Sequence, residues 1–418
     1  MENYNDPSVS KLTSPLLRGD KNLAAPKLGE GNRETVEGFL KEAELLKDKL
    51  TEVRKSFHRV PEIGNQEYKT SELIEKYLDE IQIPHKRILG TGIIAKLEGK
   101  LSGKNSALRS DIDALPINEA TGCEFSSTHE GMMHACGHDV HMTSVLGAAM
   151  ILKKHEKTLS GSVTFLFQPD EEGNGGAERM INENCLENVD AVFGAHVDPL
   201  LPAGHVGIKY GNFYAASAMF RIVIIGKSAH GAQRENGIDA IEVSAHIIPE
   251  VLKISGGVVS VGMLHAGTAG NILAGRSEFN GIIRTFGVDE RARMCREFEE
   301  IVNRISSEFG AKCECHFKLS TPGIVNDNDE ITKLVENSAR EILTTEKVHI
   351  IEKPLMISED FGFFIMAKTG CFYHIGAGCE YPLHTEKFLP VDDAFVTASA
   401  LHAAVVFNFN KQVNINLE

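Results

Sequence analysis

His134-Ala135-Cys136-Gly137-His138-Asp139-Val140-His141 places three imidazoles, a thiol and a carboxylate within eight residues. A thiolate beside imidazoles suits a borderline-soft divalent ion better than calcium or magnesium, which prefer all-oxygen shells. Gly131 and Gly137 flank and interrupt the run, and they permit turns that a side chain would resist. The same residues could form a His-rich loop, or core histidines beside a buried thiol. A closed structural zinc site would need a second Cys/His pair at finger-like spacing, and none is seen. An open metal site of the catalytic kind is the better reading.

Beyond the motif the chain runs into an apolar helix at 142–152. A strand at 162–167 ends in Gln168-Pro169-Asp170-Glu171-Glu172-Gly173, and a strand at 191–195 ends in His196. Upstream, strands at 92–97 and 106–110 follow helices at 34–57 and 69–81, the first stopped by Pro61. The second of these strands runs into Asp111-Ile112-Asp113. Polar groups thus recur just beyond the carboxyl ends of buried strands, where ligands bind in open α/β sheets.

Around Gly211 the pattern changes. Strand 217–225, helix 238–252, strands 257–264 and 277–285, helix 288–309 and strand 311–319 predict a small α+β layer of the βαββαβ kind. Near Thr321 the earlier style resumes, with a helix at 331–342 and then Ser358-Glu359-Asp360-Phe361-Gly362. A strand at 371–375, Leu383-His384-Thr385-Glu386 and a closing helix at 394–407 complete the chain. The smaller domain therefore reads as inserted into the larger one.

The 418 residues suit two domains, and 42 % hydrophobic content is enough for sizeable cores. With 58 acidic against 43 basic residues the net charge is −15, which works against nucleic-acid binding and against docking on anionic membranes. No segment approaches the apolar length of a membrane span, and the amino terminus lacks the layout of a signal peptide. Eight scattered cysteines read as reduced thiols and place the chain in the cytoplasm. Cys313-x-Cys315, followed by His316, could be a metal or redox pair. Alternation through Ala311, Cys313, Cys315 and Phe317 favours one face of a strand.

A hydrolytic metal site needs carboxylate ligands and also a carboxylate free to take a proton from water. Glu171 and Glu172 can divide those tasks if one points to the metal and the other to the substrate; an exposed acidic turn is the alternative. His196 and His384 carry little meaning singly and gain it from assembly with the other motifs.

Arg109-Ser110-Asp111-Ile112-Asp113-Ala114-Leu115-Pro116, His134 to Asp139, Pro169-Asp170-Glu171-Glu172-Gly173, Ala195-His196 and Ser358-Glu359-Asp360-Phe361 together resemble the metallo-amidohydrolases related to aminoacylase and glutamate carboxypeptidase. The similarity is strongest to the branch of hippurate hydrolase, N-acyl-amino-acid amidohydrolases and plant auxin-conjugate hydrolases, and it spans about residues 36 to 407. It implies an α/β, zinc-peptidase-like catalytic domain with an inserted α+β lid-and-dimerisation domain. On that scheme 1–33 is a mobile extension, 34–210 and 321–418 form the catalytic domain, and 211–320 the lid.

Carried over residue by residue, the resemblance implies Cys136, His138, Glu172, His196 and His384 as ligands of two divalent ions, zinc or manganese, with Cys136 bridging. Glu171 would be the general base, and Asp113 would orient a metal-bound imidazole from behind. In the lid, Ser228-Ala229-His230-Gly231-Ala232 matches a segment whose histidine helps hold the developing oxyanion, often across a homodimer. Asn271 and Arg284 match positions associated with the substrate carboxylate or acyl group. Two departures, Gln233 to Asn236 where a proline is usual and Ala274 in place of another, bear on substrate identity. The expected reaction is hydrolysis of the amide bond of a small N-acyl amino acid, releasing a carboxylic acid and a free amino acid. A dipeptidase or carboxypeptidase with the same centre, or a catalytically silent metal-binding protein, are the alternatives.

Overall fold

The computed structural model describes residues 30–173 and 175–412. The expected extension lies outside them except for its last four residues, which open helix α1 (Glu30–Leu45). The stretch that reads as one helix is two, because the chain breaks at Leu46 before α2 (Lys47–His58). α3 (Tyr68–Glu80), β1 (His85–Ile88), β2 (Gly92–Glu98) and β3 (Leu101–Asp111) follow. Then come α4 (His138–Lys154), β4 (Ser160–Gln168), α5 (Gly176–Asn182), β5 (Ala191–Asp198), β6 (Val206–Ile208) and β7 (Gly211–Tyr214).

A separate run follows: β8 (Ala216–Ile225), α6 (Ala240–Val251), β9 (Gly257–Ala266), β10 (Arg276–Thr285), α7 (Val288–Glu308) and β11 (Lys312–Leu319). The chain returns through β12 (Ile324–Asn326), α8 (Asp329–Ile342), β13 (Val348–Ile350), α9 (Gly362–Ala367), β14 (Gly370–Gly376) and α10 (Asp393–Asn410).

Eight strands form the large sheet in the order β1-β2-β4-β3-β5-β14-β6-β13. Its centre, β4-β3-β5-β14, is parallel. These strands are buried on both faces, as parallel strands flanked by helices must be, which is why they read as continuous apolar runs. On one face Leu108, Phe165 and Phe193 pack with Val145 and Leu146 of α4 and with Leu401 and Val405 of α10. α10 is buried almost all round, the pattern of a helix inside a core. The other face meets Phe213, Phe361, Phe364 and Phe372. The short strands β1, β6 and β13 escaped the sequence reading because three or four residues are too few for alternation to register.

The run from β8 to β11 makes its own antiparallel sheet, ordered β11-β8-β10-β9, which is the βαββαβ layout. Phe220, Ile222, Phe279, Phe298 and Val302 form its core. β7 is not part of it. Although Gly211–Tyr214 leads toward β8, it pairs with β12 of the returning chain, and Phe213, Tyr214 and Ile324 pack against the large sheet. The small sheet therefore starts at Ala216, one residue before the expected strand.

Candidate metal centre

The site lies at the carboxyl ends of the central parallel strands. α4 begins at His138, directly after Gly137, whose φ of 85° is left-handed. A Cβ on Gly137 would lie 2.5 Å from Val197 Cγ2, so both the turn and the close approach require glycine. With that turn, ligand-type atoms of Cys136, His138 and His196 lie within 4.8 Å of one another. His196 sits within β5, two residues before its end, and not beyond the strand as expected. Its Nδ1 is bonded to the Val197 carbonyl at 2.8 Å, and its Nε2 is 3.3 Å from Cys136 Sγ.

His384 arrives from the loop before α10. Its Nε2 lies 3.2 Å from Cys136 Sγ and 3.1 Å from Glu172 Oε1. Its φ is 60°, a left-handed conformation uncommon for histidine, and its N–H donates to the Ala135 carbonyl at 2.8 Å. Asp170, with φ 57°, makes a similar turn ahead of the two glutamates. Its own N–H donates to Glu67 Oε1 at 2.9 Å, and its Oδ2 accepts from Asn65 Nδ2 at 2.6 Å. Glu171 and Glu172 then reach His138, again with ligand-type atoms within 4.8 Å.

Asp113 braces two of these groups. Its carbonyl is 2.8 Å from His138 Nδ1, its Oδ1 is 3.3 Å from the same nitrogen, and its Oδ2 accepts the Glu172 N–H at 3.0 Å. Sequence reasoning missed the neighbouring braces. Asp111 Oδ1 is 2.7 Å from His141 Nδ1, and His141 Nε2 accepts the Val197 N–H at 3.0 Å. Behind them Arg109 donates to Asp111, Glu359, Asp360 and Gln168. The available signal was the two-residue spacing of Arg109, Asp111 and Asp113, which marks one face of an extended chain.

The electrostatics divide the two glutamates. Burial, then Glu359 and Glu172, hold the Glu171 carboxyl well above the ordinary carboxylate range. Burial also works on Glu172, but His384 and His138 overrule it and bring that carboxyl down to about 2. Burial and the two glutamates push the Cys136 thiol up, a field that bound cations would reverse. For His138, Asp111 and Asp113 outweigh burial and raise the imidazole to about 10.

The residues fit a metal. His138 Nε2 is buried with no hydrogen-bond partner, its other nitrogen is committed to Asp113, and the donor set is one thiol, three imidazoles and a carboxylate. A protein-braced imidazole with its second nitrogen free is the usual form of a metal ligand.

The lid residues belong to the small sheet and the loops beside it. His230 is exposed, and its Nδ1 accepts the Ala232 N–H at 3.2 Å. It bridges to Ile272 beside Asn271, whose carbonyl accepts the Gly231 N–H at 2.8 Å. Arg284, on β10, is partly buried and its Nη1 has no hydrogen-bond partner. Cys313 and Cys315 occupy one face of β11, and all eight cysteines are free thiols.

Residues 107–408 match the model of peptidase family M20/M25/M40. The chain belongs to that family. It is 34 % identical to the N-acetyl-L-cysteine deacetylase of Bacillus subtilis, over 85 % of this chain and 86 % of that protein. It is 32 % identical to thermostable carboxypeptidase 2 of Saccharolobus solfataricus, over 90 % of this chain and 99 % of that protein. Among solved structures, a dinuclear metal-binding M20 peptidase of Bacillus subtilis superposes with a TM-score of 0.80 at 32 % identity, covering 87 % of this chain and 98 % of that one. As a member of the M20 family the chain is a metal-dependent amidohydrolase. Among the described residues, no helix is long and apolar enough to cross a membrane.

Proposed function

We propose that the chain hydrolyses the amide bond of N-acyl amino acids, with Cys136, His138, Glu172, His196 and His384 holding two divalent ions. The observation that carries this reading is at Cys136. Its sulfur has an imidazole nitrogen of His196 at 3.3 Å and one of His384 at 3.2 Å, so the thiol stands between two imidazoles that would hold the ions with it. The thiolate favours zinc, whereas the imidazole and carboxylate ligands also accept manganese.

When bound, the ions would polarise the scissile carbonyl and acidify the attacking water. Glu171 takes a proton from that water on a carboxylate oxygen and passes it to the leaving amine. Burial, Glu359 and Glu172 raise the proton affinity of Glu171, and bound cations would draw it back toward the ionised form that a base requires. Asp113 keeps His138 and the Glu172 backbone in register. Arg284 has a nitrogen free to pair with the substrate carboxylate, with Asn271 beside the acyl or amino-acid portion.

His230 is exposed in the loop after β8, which supports a role completed by a second copy of the chain. β9 is an edge strand of ten residues with Val258, Met263 and Leu264 exposed, and it borders a groove lined by Ile248, Leu252 and Val261. An unpaired apolar edge of this length is a template for strand pairing. A homodimer joined there would carry each His230 to its partner's centre, where it would hold the oxyanion. The free thiols support a reducing, cytoplasmic setting.

The likeness to a carboxypeptidase supports peptides as a second substrate class. Turnover on a panel that varies the acyl and amino-acid halves separately, with dipeptides and metal analysis alongside, tests the proposal. No release of amino acid from any N-acyl substrate by metal-loaded protein rules out the N-acyl-amino-acid reading proposed here.

A further inference from the structure

A second cluster of ligand-type side chains lies outside the proposed ligand set. His58 closes α2 and is buried, with Nδ1 2.9 Å from Asp139 Oδ2 and Nε2 3.2 Å from Glu119 Oε1. Cys123 brings its sulfur to 3.7 Å from that same Glu119 oxygen. Ligand-type atoms of His58, Glu119 and Cys123 all lie within 4.8 Å of one another. A tetrahedral ion with bonds of about 2.0 Å to nitrogen and oxygen and about 2.3 Å to sulfur spans edges of about 3.3–3.5 Å. The two measured edges bracket that span.

We propose that His58, Glu119 and Cys123 form a third site for a thiophilic divalent ion such as zinc, separate from the catalytic pair.

Three further observations support it. First, Asp139 stands behind His58 as an orienting carboxylate, and Arg54 Nε holds the same Asp139 oxygen at 3.1 Å. A carboxylate on one imidazole nitrogen and a ligand position on the other is the common form of a metal-bound histidine. Second, the Cys123 thiol has only weak protein partners, Glu119 at 3.7 Å and Ser126 Oγ at 3.5 Å, so no strong contact must be broken.

Third, the charges balance. Without metal, each His58 nitrogen faces a carboxylate oxygen, Asp139 on one side and Glu119 on the other, the pairing of an imidazolium. Imidazolium, carboxylate and neutral thiol sum to zero. A divalent ion takes the place of the Nε2 proton and the thiol proton, both released to water. Neutral imidazole, carboxylate, thiolate and ion again sum to zero, so the buried surroundings see no change in net charge.

The site would stiffen the loop that carries Glu119 and Cys123. Ser127 N–H already donates to Glu119 Oε2 at 2.6 Å, and Ala120 N–H donates to the Glu386 carbonyl at 2.7 Å, two residues from His384. Ala120 and Thr121 also line a groove of about 420 Å³ with Cys379, Tyr381 and Lys387. The ion would thus brace one wall of that groove and the segment that presents His384.

The test uses the full chain loaded with zinc and freed of excess. Cys123→Ser, at a partly exposed position, should carry one fewer zinc ion per chain. To separate this site from Cys136, the chain is loaded with cobalt in a Cys136→Ser background. A near-ultraviolet thiolate-to-cobalt band should persist there and vanish in Cys136→Ser/Cys123→Ser. Equal zinc content in the wild type and Cys123→Ser, or no band in Cys136→Ser, overturns the proposal. Either result leaves the catalytic pair standing, because that pair is read by activity and by the Cys136 substitution.

Discussion

His384 Nε2 lies 3.2 Å from the sulfur of Cys136, 248 residues earlier in the chain. Between them the chain leaves the large sheet, builds the small one and returns. The contact is locked at backbone level, since His384 N–H donates to the carbonyl of Ala135, the residue before the thiol. The two halves of the larger unit are therefore joined at the candidate metal centre itself.

Glu171 and Glu172 share charge and size, so an acidic turn of no function predicts equal, mild effects from neutralising either. On the proposed mechanism they differ. Glu171→Gln should cut kcat by about 10²- to 10⁴-fold, the usual worth of a general base, with metal retained. Glu172→Gln should lose metal, and activity with it. Elemental analysis alongside kcat distinguishes the two, and near-normal turnover in metal-loaded Glu171→Gln would sink the mechanism.

Asp113→Asn keeps the shape of the brace on His138 and Glu172 but removes its charge. Loss of such an orienting group typically costs about 10- to 100-fold in metal affinity. Titration of the protein against a calibrated chelator measures that loss, with far-ultraviolet circular dichroism unchanged. An affinity equal to the wild type means the brace is dispensable.

His230→Ala should lower kcat more than it raises KM, the signature of a contact made mainly in the transition state. Met263→Asp places a charge on the exposed apolar edge of β9 and should yield monomers by sedimentation. Those monomers should share the kcat defect, because each would lack its partner's histidine. Full activity in a monomeric variant contradicts the shared site.

His58 and Glu119 set a pH dependence of stability in chelator-treated protein. The His58 imidazole rises from its ordinary 6.5 to about 9, so its contribution is complete below 6.5 and fades as pH climbs through 9. Glu119 is opposed by burial but drawn from 4.5 to about 2, first by His58 and by the Ser127 N–H. Its contribution is present above 4.5 and is lost as pH falls through 2. The stability gap between wild type and His58→Asn should therefore be widest near pH 5–6 and shrink by on the order of 3 kcal/mol toward pH 10. Urea unfolding of both proteins across that range measures it, and a gap independent of pH removes the ion pair.

Local periodicity was enough to read the α/β alternation, the βαββαβ run and the apolar closing helix, because burial on one or both faces stamps its period on neighbouring residues. The metal chemistry was also legible, since thiol, imidazoles and carboxylate stand together in His134 to Asp139 and next to each other in Glu171-Glu172. Distant pairings decided the rest. Gly211–Tyr214 looks like the start of the lid until its partner, β12, is seen more than a hundred residues later. Asp111 and His141 become a brace only when β3 and α4 meet, and the turn at Leu46 leaves no mark in the apolar spacing. The left-handed backbones of Asp170 and His384 are held by Glu67, Asn65 and Ala135; aspartate and histidine enter that region more readily than most residues, but residue type alone does not fix them there. Residue type and spacing report what each segment must bury or could ligate. Which groups meet is set by contacts between segments, and those exist only once the sheet has closed around them.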